Sequence, residues 1–138
     1  MRVFLDANIL FSAAKSDGAI RGLLAKLRTS QHVLVADAYV VGEAQRNIET
    51  KFPTALGDFE SLLAVTECLH RVYSDLPNEI APELPQKDRP VLAAAIQHRC
   101  DVLVTGDKTH FGALYGQKIE GVMIHCPASL AGLLLAKG

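Results

Sequence analysis

The feature that most constrains the fold is an apolar run near the start of the chain that ends at a carboxylate. The residues from Val3 to Leu5 include no alternating polar side chain, and Asp6 follows them directly. Such a run is typical of a short strand buried on both faces of a parallel sheet. Asp6 would then lie at the carboxyl end of the strand, where α/β sheets bind ligands. Capping of the following helix is an equally simple explanation of the same residue.

Short apolar runs alternate with helical patterns along the rest of the chain. Besides the first run, strands are predicted over Val33–Ala36, Cys68–Tyr73, Val102–Thr105 and Val122–Ile124. Helices are predicted after Asp6 and over 20–27, 38–51, 53–63, 91–99 and 130–136, with a proline-rich irregular connection before residue 88. This alternation predicts an α/β fold, a three-layer α/β/α sandwich around a central, mainly parallel sheet of four to five strands.

Length and composition predict one cytoplasmic domain. The 138 residues are enough to bury a sizeable core without disulfides, and residues 1–138 contain no linker or repeat that would divide them. The three cysteines are widely spaced, so we interpret them as reduced thiols, and the five histidines show no metal-ligand spacing. No tract is long enough to cross a membrane, and Asp6 would interrupt the apolar region of a secretion signal.

Four acids are placed on one side of the predicted sheet. Asp6 and Asp107 end strands, whereas Asp88 begins a helix and Glu43 lies in the early turns of one. In a parallel sheet the strand ends and the following helix starts share one edge, so these four can converge. Asp101 begins a strand and belongs to the opposite edge.

Each acid also has an ordinary structural explanation. Asp88 is a good helix cap, Asp107 is a good turn residue, and Glu43 could be a solvated helix residue. Their joint placement carries the functional inference. Carboxylates crowded into one crevice repel one another unless they are protonated or neutralised by a divalent cation. Oxygen ligands favour Mg²⁺ or Mn²⁺, so we predict that Asp6, Glu43, Asp88 and Asp107 bind one or two such ions.

These residues resemble the acidic signature of PIN-domain ribonucleases. The resemblance comprises Leu5-Asp6-Ala7-Asn8, then Glu43, then Asp88 with its alanine-rich helix, and finally Thr105-Gly106-Asp107. It implies a metal-dependent endoribonuclease with Asp6, Glu43, Asp88 and Asp107 at the catalytic acidic positions. Asn8 and Thr105 match polar supporting positions of the family.

The resemblance extends to the biological setting of the family. Many small members are similar to the virulence-associated protein C toxins of toxin–antitoxin pairs, which implies an antitoxin partner and a homodimer. Two departures affect the subfamily. Ala7 stands where Thr or Ser is frequent, and in the segment from Lys108 to Phe111 the aromatic residue comes one position later than in many relatives.

Charge bears on how RNA would be bound. The formal net charge is −1, and leaving out the four proposed ligands raises it to +3, so metal loading would make the chain modestly cationic. Basic residues near the acids are candidate phosphate contacts, although ordinary solvated charge explains them as well: Arg46, Lys87, Arg89 and Lys108. Aromatic residues make up 6% with no Trp, which argues against an extended base-stacking platform.

Two alternatives remain at this stage. A phosphatase with an aspartate nucleophile would also place Asp6 after a first strand, but such sites usually have a second aspartate where this chain has Asn8. A non-catalytic PIN-like module that binds protein or RNA would keep the scaffold without turnover. Retention of four mutually repelling acids argues against that module.

Overall fold

The fold is built on one mixed sheet. The computed structural model describes residues 1–72 and 76–136, and within them six strands form a sheet of order β3-β2-β1-β4-β6-β5. The strands are β1 (Arg2–Leu5), β2 (Val33–Asp37), β3 (Glu67–Leu69), β4 (Val102–Val104), β5 (Lys118–Ile119) and β6 (Val122–His125). All neighbouring pairs are parallel except β5 with β6, which is antiparallel. The predicted α/β class and mainly parallel sheet are confirmed.

Helices connect the parallel strands. The α-helices are α1 (Ala7–Lys15), α2 (Ala19–Thr29), α3 (Ala38–Lys51), α4 (Leu56–Ala64), α5 (Arg89–Gln97), α6 (Lys108–Phe111) and α7 (Pro127–Ala136). Short 3-10 helices cover Pro53–Ala55, Gln86–Asp88 and Gly112–Leu114. Helix α1 packs against α2, α3 and α4, and no helix among the described residues is both long and apolar enough to cross a lipid bilayer.

The centre of the sheet is the centre of the core. Phe4 and Leu5 on β1 and Leu103 on β4 have no exposed surface, as predicted for strands covered on both faces. The small side chains of the α5 segment from Ala93 to Ala95 are likewise buried. Burial of apolar area is the main favourable contribution to folding, so this layer fixes how β1 and β4 sit side by side.

The prediction of four to five strands was wrong because it missed β5. This two-residue strand contains an exposed lysine and has no apolar run, but Glu120 and Gly121 with positive φ close a tight hairpin onto β6. The third strand is Glu67–Leu69, shorter than predicted, and the end of the predicted span at Tyr73 lies outside the described residues. Pro127 begins α7 three residues before the predicted start, a position that proline tolerates.

Candidate active site

Asp6 caps helix α1 and follows the last residue of β1, as the sequence predicted. The residue is the N-cap of α1, and its Oδ1 accepts a 2.8 Å hydrogen bond from the Ala7 backbone. Its Oδ2 accepts a 2.7 Å hydrogen bond from the Thr105 hydroxyl. Burial raises the pKa of Asp6 to about 6 in spite of these donors, and the Glu43 carboxylate acts in the same direction as burial.

Asn8 and Thr105 tie the ends of β1 and β4 together. The Asn8 side-chain nitrogen lies 3.3 Å from Oδ2 of Asp6. The Asn8 side-chain oxygen accepts a 2.8 Å hydrogen bond from the Gly106 backbone. The Thr105 hydroxyl also accepts a 3.1 Å hydrogen bond from the Asp107 backbone. A side chain at position 106 would press on Asn8, because an added Cβ would lie 3.3 Å from Oδ1. These contacts hold Asp6 and the Asp107 backbone in a fixed relation.

Asp88, Asp107 and His110 form a compact group of potential ligands. Nδ1 of His110 lies 2.9 Å from Oδ2 of Asp88 and 2.7 Å from Oδ2 of Asp107. One donor atom from each of the three residues lies within 4.8 Å of the others. Although the distances are those of an ion pair, His110 Nδ1 and Asp88 Oδ2 are buried and neither has a hydrogen-bond partner of acceptable geometry.

Asp88 is not used as a helix cap. It precedes α5, but its side chain makes no capping hydrogen bond, whereas Asp107 caps α6 by accepting from the His110 backbone over 3.2 Å. The Asp88 residue is 8% exposed, and this burial raises the pKa of its carboxyl while the nearby His110 opposes the rise. A buried carboxylate with a free oxygen is well suited to a cation.

All four predicted acids line one cleft. Asp6, Glu43, Asp88 and Asp107 meet there with Asn8, and the cavity measures about 210 Å³. Glu43 is exposed on α3, so it is the most solvated of the four. Asp101 lies at the opposite edge, where it accepts a 2.8 Å hydrogen bond from the Arg2 backbone. The convergence follows from the parallel topology used to predict it.

The predicted basic residues have different surroundings. Lys87 is exposed and lines the cleft, whereas Arg46 on α3 and Lys108 on α6 are exposed residues that do not line it. Arg89 differs from the expectation of a phosphate contact. The residue is 6% exposed, and its guanidinium donates to the backbone carbonyls of Leu76, Pro77, Ile80 and Ala81. These hydrogen bonds hold the segment before α5 in place.

Sequence reasoning missed part of the cleft. The histidines show no metal-ligand spacing among themselves, yet His110 contacts two of the cleft acids and follows Asp107 by three residues, a spacing that brings side chains together on a helix. Asn47 and Lys51, which do line the cleft, follow Glu43 by one and two helical turns on α3. The same spacing rule, applied from each acid, could have found all three.

The donor set fits a divalent cation. Several carboxylates are gathered at partly or fully buried positions, where their mutual repulsion and desolvation disfavour the ionised state. The uncompensated Asp88 Oδ2 and His110 Nδ1 face each other without a hydrogen bond. A cation between such atoms would satisfy both, and a set rich in oxygen is compatible with Mg²⁺ or Mn²⁺.

Comparison with known proteins gives one family match. The family model described as a PIN domain matches residues 2–109. No curated protein sequence matches the chain.

Three solved structures share the fold at low sequence identity. VapBC2 from Rickettsia felis, bound to a DNA fragment from its promoter, is 17% identical with a TM-score of 0.65, covering 91% of this chain and 98% of that one. The sarcin-ricin loop cleaving toxin VapC20 from Mycobacterium tuberculosis is 17% identical with a TM-score of 0.57, covering 80% and 94%. FitAB bound to an IR36 DNA fragment is 18% identical with a TM-score of 0.59, covering 91% and 94%.

Proposed function

Because the chain belongs to the PIN domain family, we propose that it is a divalent-metal-dependent endoribonuclease that hydrolyses RNA phosphodiester bonds. The observation that carries the proposal is the meeting of Asp6, Glu43, Asp88 and Asp107 in one cleft. These residues come from four separate parts of the sequence. Nothing in the packing of an apolar core requires four acids at one place, whereas binding of a cation and a phosphodiester does.

The four acids are the proposed metal ligands, and His110 is an additional candidate. Bound there, one or two Mg²⁺ or Mn²⁺ ions would lower the pKa of a water nucleophile and offset charge on the scissile phosphate. Asn8 and Thr105 would orient Asp6 through their hydrogen bonds. Supporting contacts of this kind keep a ligand in position before the substrate arrives.

The exposed lysines of the cleft are the proposed phosphate contacts. Lys87 was predicted from the sequence, and we add Lys51 because it lines the same cleft. Arg46 and Lys108 stay as weaker candidates because their exposed positions lie outside the lining, and Arg89 is left out since its guanidinium already binds four carbonyls. Positive groups at the rim would offset repulsion between the acids and the RNA backbone.

An antitoxin partner is also proposed, with the chain as the toxin of the pair. Its support is the fold shared with the VapBC2 and FitAB structures and with the VapC20 toxin. Residues 1–138 would act as one nuclease domain, since the sheet takes strands from near both ends of the sequence. A homodimer is proposed on the family resemblance alone.

The phosphatase alternative is weakened by Asn8. Phosphatases with an aspartate nucleophile usually have a second aspartate two residues later, and this chain has an amide there. The Asn8 nitrogen lies 3.3 Å from Oδ2 of Asp6, so it supports Asp6 but cannot act as a general acid. Turnover of p-nitrophenyl phosphate would favour the phosphatase over the nuclease.

The test is cleavage of a mixed structured RNA pool by the purified chain with Mn²⁺, Mg²⁺ or EDTA. Asp6→Asn and Asp88→Asn remove charge from the cleft with little change of shape, and Asp17→Asn, at an exposed loop position, is the matched control. We expect metal-dependent cutting that both cleft variants lose and the control keeps. Equal cutting by wild type and both cleft variants, or no cutting with either metal, would contradict the proposal.

A further inference from the structure

Two aromatic rings and two lysines form a patch beside the acid cleft. Phe11 lies on α1 and Phe52 directly follows α3, with their ring centroids 5.9 Å apart and the ring planes at 64°. Phe52 is 42% exposed, whereas Phe4, Phe59 and Phe111 are buried in the core. We call the set Phe11, Lys15, Lys51 and Phe52 the aromatic–lysine patch.

The lysines of the patch are held close to the rings. The Lys15 ammonium lies 5.2 Å from the Phe52 centroid and 5.7 Å from that of Phe11, and the Lys51 ammonium lies 5.9 Å from Phe11. These distances fall within the range of cation–π attraction. The patch therefore presents aromatic surface and positive charge together, which is unlike a plain apolar surface.

The patch is continuous with the acid cleft. Phe11 and Lys51 both line it along with Asp6 and Glu43. Helix α1 begins directly after Asp6 and carries Phe11 little more than one turn later, while Lys51 follows Glu43 by two turns of α3. Helix α1 packs against α3, and the acids lie at one end of this helix pair while the aromatic–lysine patch lies further along it.

We propose that the aromatic–lysine patch is a subsite for single-stranded RNA, in which a base displaces the Lys15 ammonium from the Phe52 ring and stacks there, while Lys15 and Lys51 contact the flanking phosphates. The inference rests on the proposed nuclease function and adds the part of the substrate next to the scissile bond. Base stacking on aromatic side chains combined with a cationic track is the general chemistry of single-strand binding. Two rings suit one or two bases, in keeping with the low aromatic content of the sequence.

Charge favours RNA over an apolar protein surface as the occupant. Covering Phe52 with an apolar helix would take the adjacent Lys15 ammonium out of water without giving it a counter-charge. A phosphodiester chain supplies that counter-charge directly. The net charge of −1 and the four cleft acids also mean that RNA needs local cations to approach the site.

The test measures binding of RNA with cleavage switched off. A short fluorescein-labelled oligouridylate is titrated with the full chain in EDTA, and anisotropy gives the dissociation constant at several salt concentrations. We expect Phe52→Ala and Phe52→Leu to weaken binding roughly five- to hundredfold, and Phe52→Tyr to keep it, because stacking needs an aromatic face.

The lysines are tested through the salt dependence. Each of Lys15→Gln and Lys51→Gln should reduce the slope of log affinity against log salt by about 0.7, the value for one phosphate contact on a single strand. Lys26→Gln, at an exposed position on α2, is the matched control and should leave the slope unchanged. Melting followed by circular dichroism checks that each variant is folded.

The possible outcomes separate this subsite from the nuclease proposal. Wild-type affinity in folded Phe52→Ala would overturn the subsite, as would tight duplex binding with the same dependence on Phe52. If Phe52→Ala changed only self-association measured by light scattering, the patch would be an interface between copies and the subsite would be wrong. Binding that depends on Phe52 without any metal-dependent cleavage would support the subsite and contradict the nuclease.

Discussion

The hydroxyl of Thr105 donates a 2.7 Å hydrogen bond to Oδ2 of Asp6, and so connects the carboxyl ends of two neighbouring strands. Thr105 has no exposed surface, and its oxygen also accepts from the Asp107 backbone. A single side chain therefore contacts one proposed ligand and positions the backbone of another. This arrangement makes Thr105 the residue whose replacement should disturb the site most without removing a carboxylate.

Replacing Thr105 by Val should affect stability and metal binding together. The shape is nearly kept, but Asp6 loses a donor and the Asp107 N–H loses its acceptor. We expect the free energy of unfolding in EDTA to fall by about 1–3 kcal/mol. Mn²⁺ affinity should fall roughly tenfold, as for other losses of a contact that orients a ligand. Urea unfolding and calorimetric titration measure the two effects.

Two further variants of threonine give the controls for this experiment. Thr105→Ser keeps the hydroxyl and should restore Mn²⁺ affinity, while Thr109→Val changes an exposed threonine on α6 and should do little. Unchanged Mn²⁺ affinity in a folded Thr105→Val protein would show that this hydroxyl does not support the proposed ligand.

Asp6 should make the metal-free protein less stable as the pH rises. Its folded pKa of about 6 lies above the ordinary value of 3.8, so the folded state holds the proton more tightly than the unfolded chain does. The stabilisation is complete below the unfolded pKa and is lost as the pH rises through the folded pKa. Two pKa units correspond to about 3 kcal/mol.

Asp6→Asn should remove this dependence, because an amide does not titrate. We expect wild type in EDTA to lose stability relative to the variant between pH 4 and pH 6.5, which urea unfolding at each pH would show. Asp17→Asn serves as the exposed control and should follow wild type. Parallel stability curves for wild type and Asp6→Asn would mean that burial does not shift Asp6 in this way.

The sequence was informative wherever a side chain was fixed by topology. Asp6, Asp88 and Asp107 could be brought together because parallel strands and their helices share an edge, and burial of the first strand followed from its unbroken apolar run. Helix α3 was predicted with its observed bounds because Asp37 is a strong N-cap signal. In the structure the Asp37 side chain accepts a hydrogen bond from the Val40 backbone.

What the sequence did not show depends on contacts between distant segments. In the sequence, Arg89 is a basic residue next to a proposed ligand, which is what a phosphate contact would look like. Only the folded path of residues 76–81 brings backbone carbonyls to its guanidinium. The aromatic pair of Phe11 and Phe52 joins two helices that are far apart in sequence. β5 has too few apolar residues to be recognised as a strand from the sequence pattern. Its position depends on the hairpin that pairs it with β6.

Arg89 should be structural, and its loss should destabilise the protein. Arg89→Met keeps the aliphatic stem but removes donors to four backbone carbonyls, so we expect the free energy of unfolding to fall by about 3 kcal/mol. Limited proteolysis should detect earlier cutting near residues 76–81. The salt slope of RNA binding should stay as in wild type, and a reduced slope with unchanged stability would indicate a phosphate contact.

His110 should distinguish among metals if it is a ligand. Imidazole nitrogen is a better ligand for Mn²⁺ and Zn²⁺ than for Mg²⁺, which prefers oxygen. His110→Ala should therefore weaken Mn²⁺ binding roughly tenfold and Mg²⁺ binding less. Calorimetric titration of both metals measures the ratio, with His70→Ala as an exposed control. Equal losses for the two metals would exclude a direct bond from His110 and leave it as a partner of Asp88 and Asp107.

The three cysteines should react at very different rates, with Cys126 fastest. Its sulfur accepts from the Ser129 backbone and lies 3.4 Å from the Ser129 hydroxyl, and these contacts lower the pKa of the Cys126 thiol. Burial raises the pKa of Cys68, and raises that of Cys100 to about 11. Because the thiolate is the nucleophile, alkylation by iodoacetamide at neutral pH should be roughly hundredfold faster at Cys126 than at Cys100.

Peptide mass spectrometry gives the alkylation rates of the three cysteines, and Ser129→Ala should slow the alkylation of Cys126 alone. Equal rates at Cys126 and Cys68 would show that the contacts from Ser129 do not stabilise the thiolate.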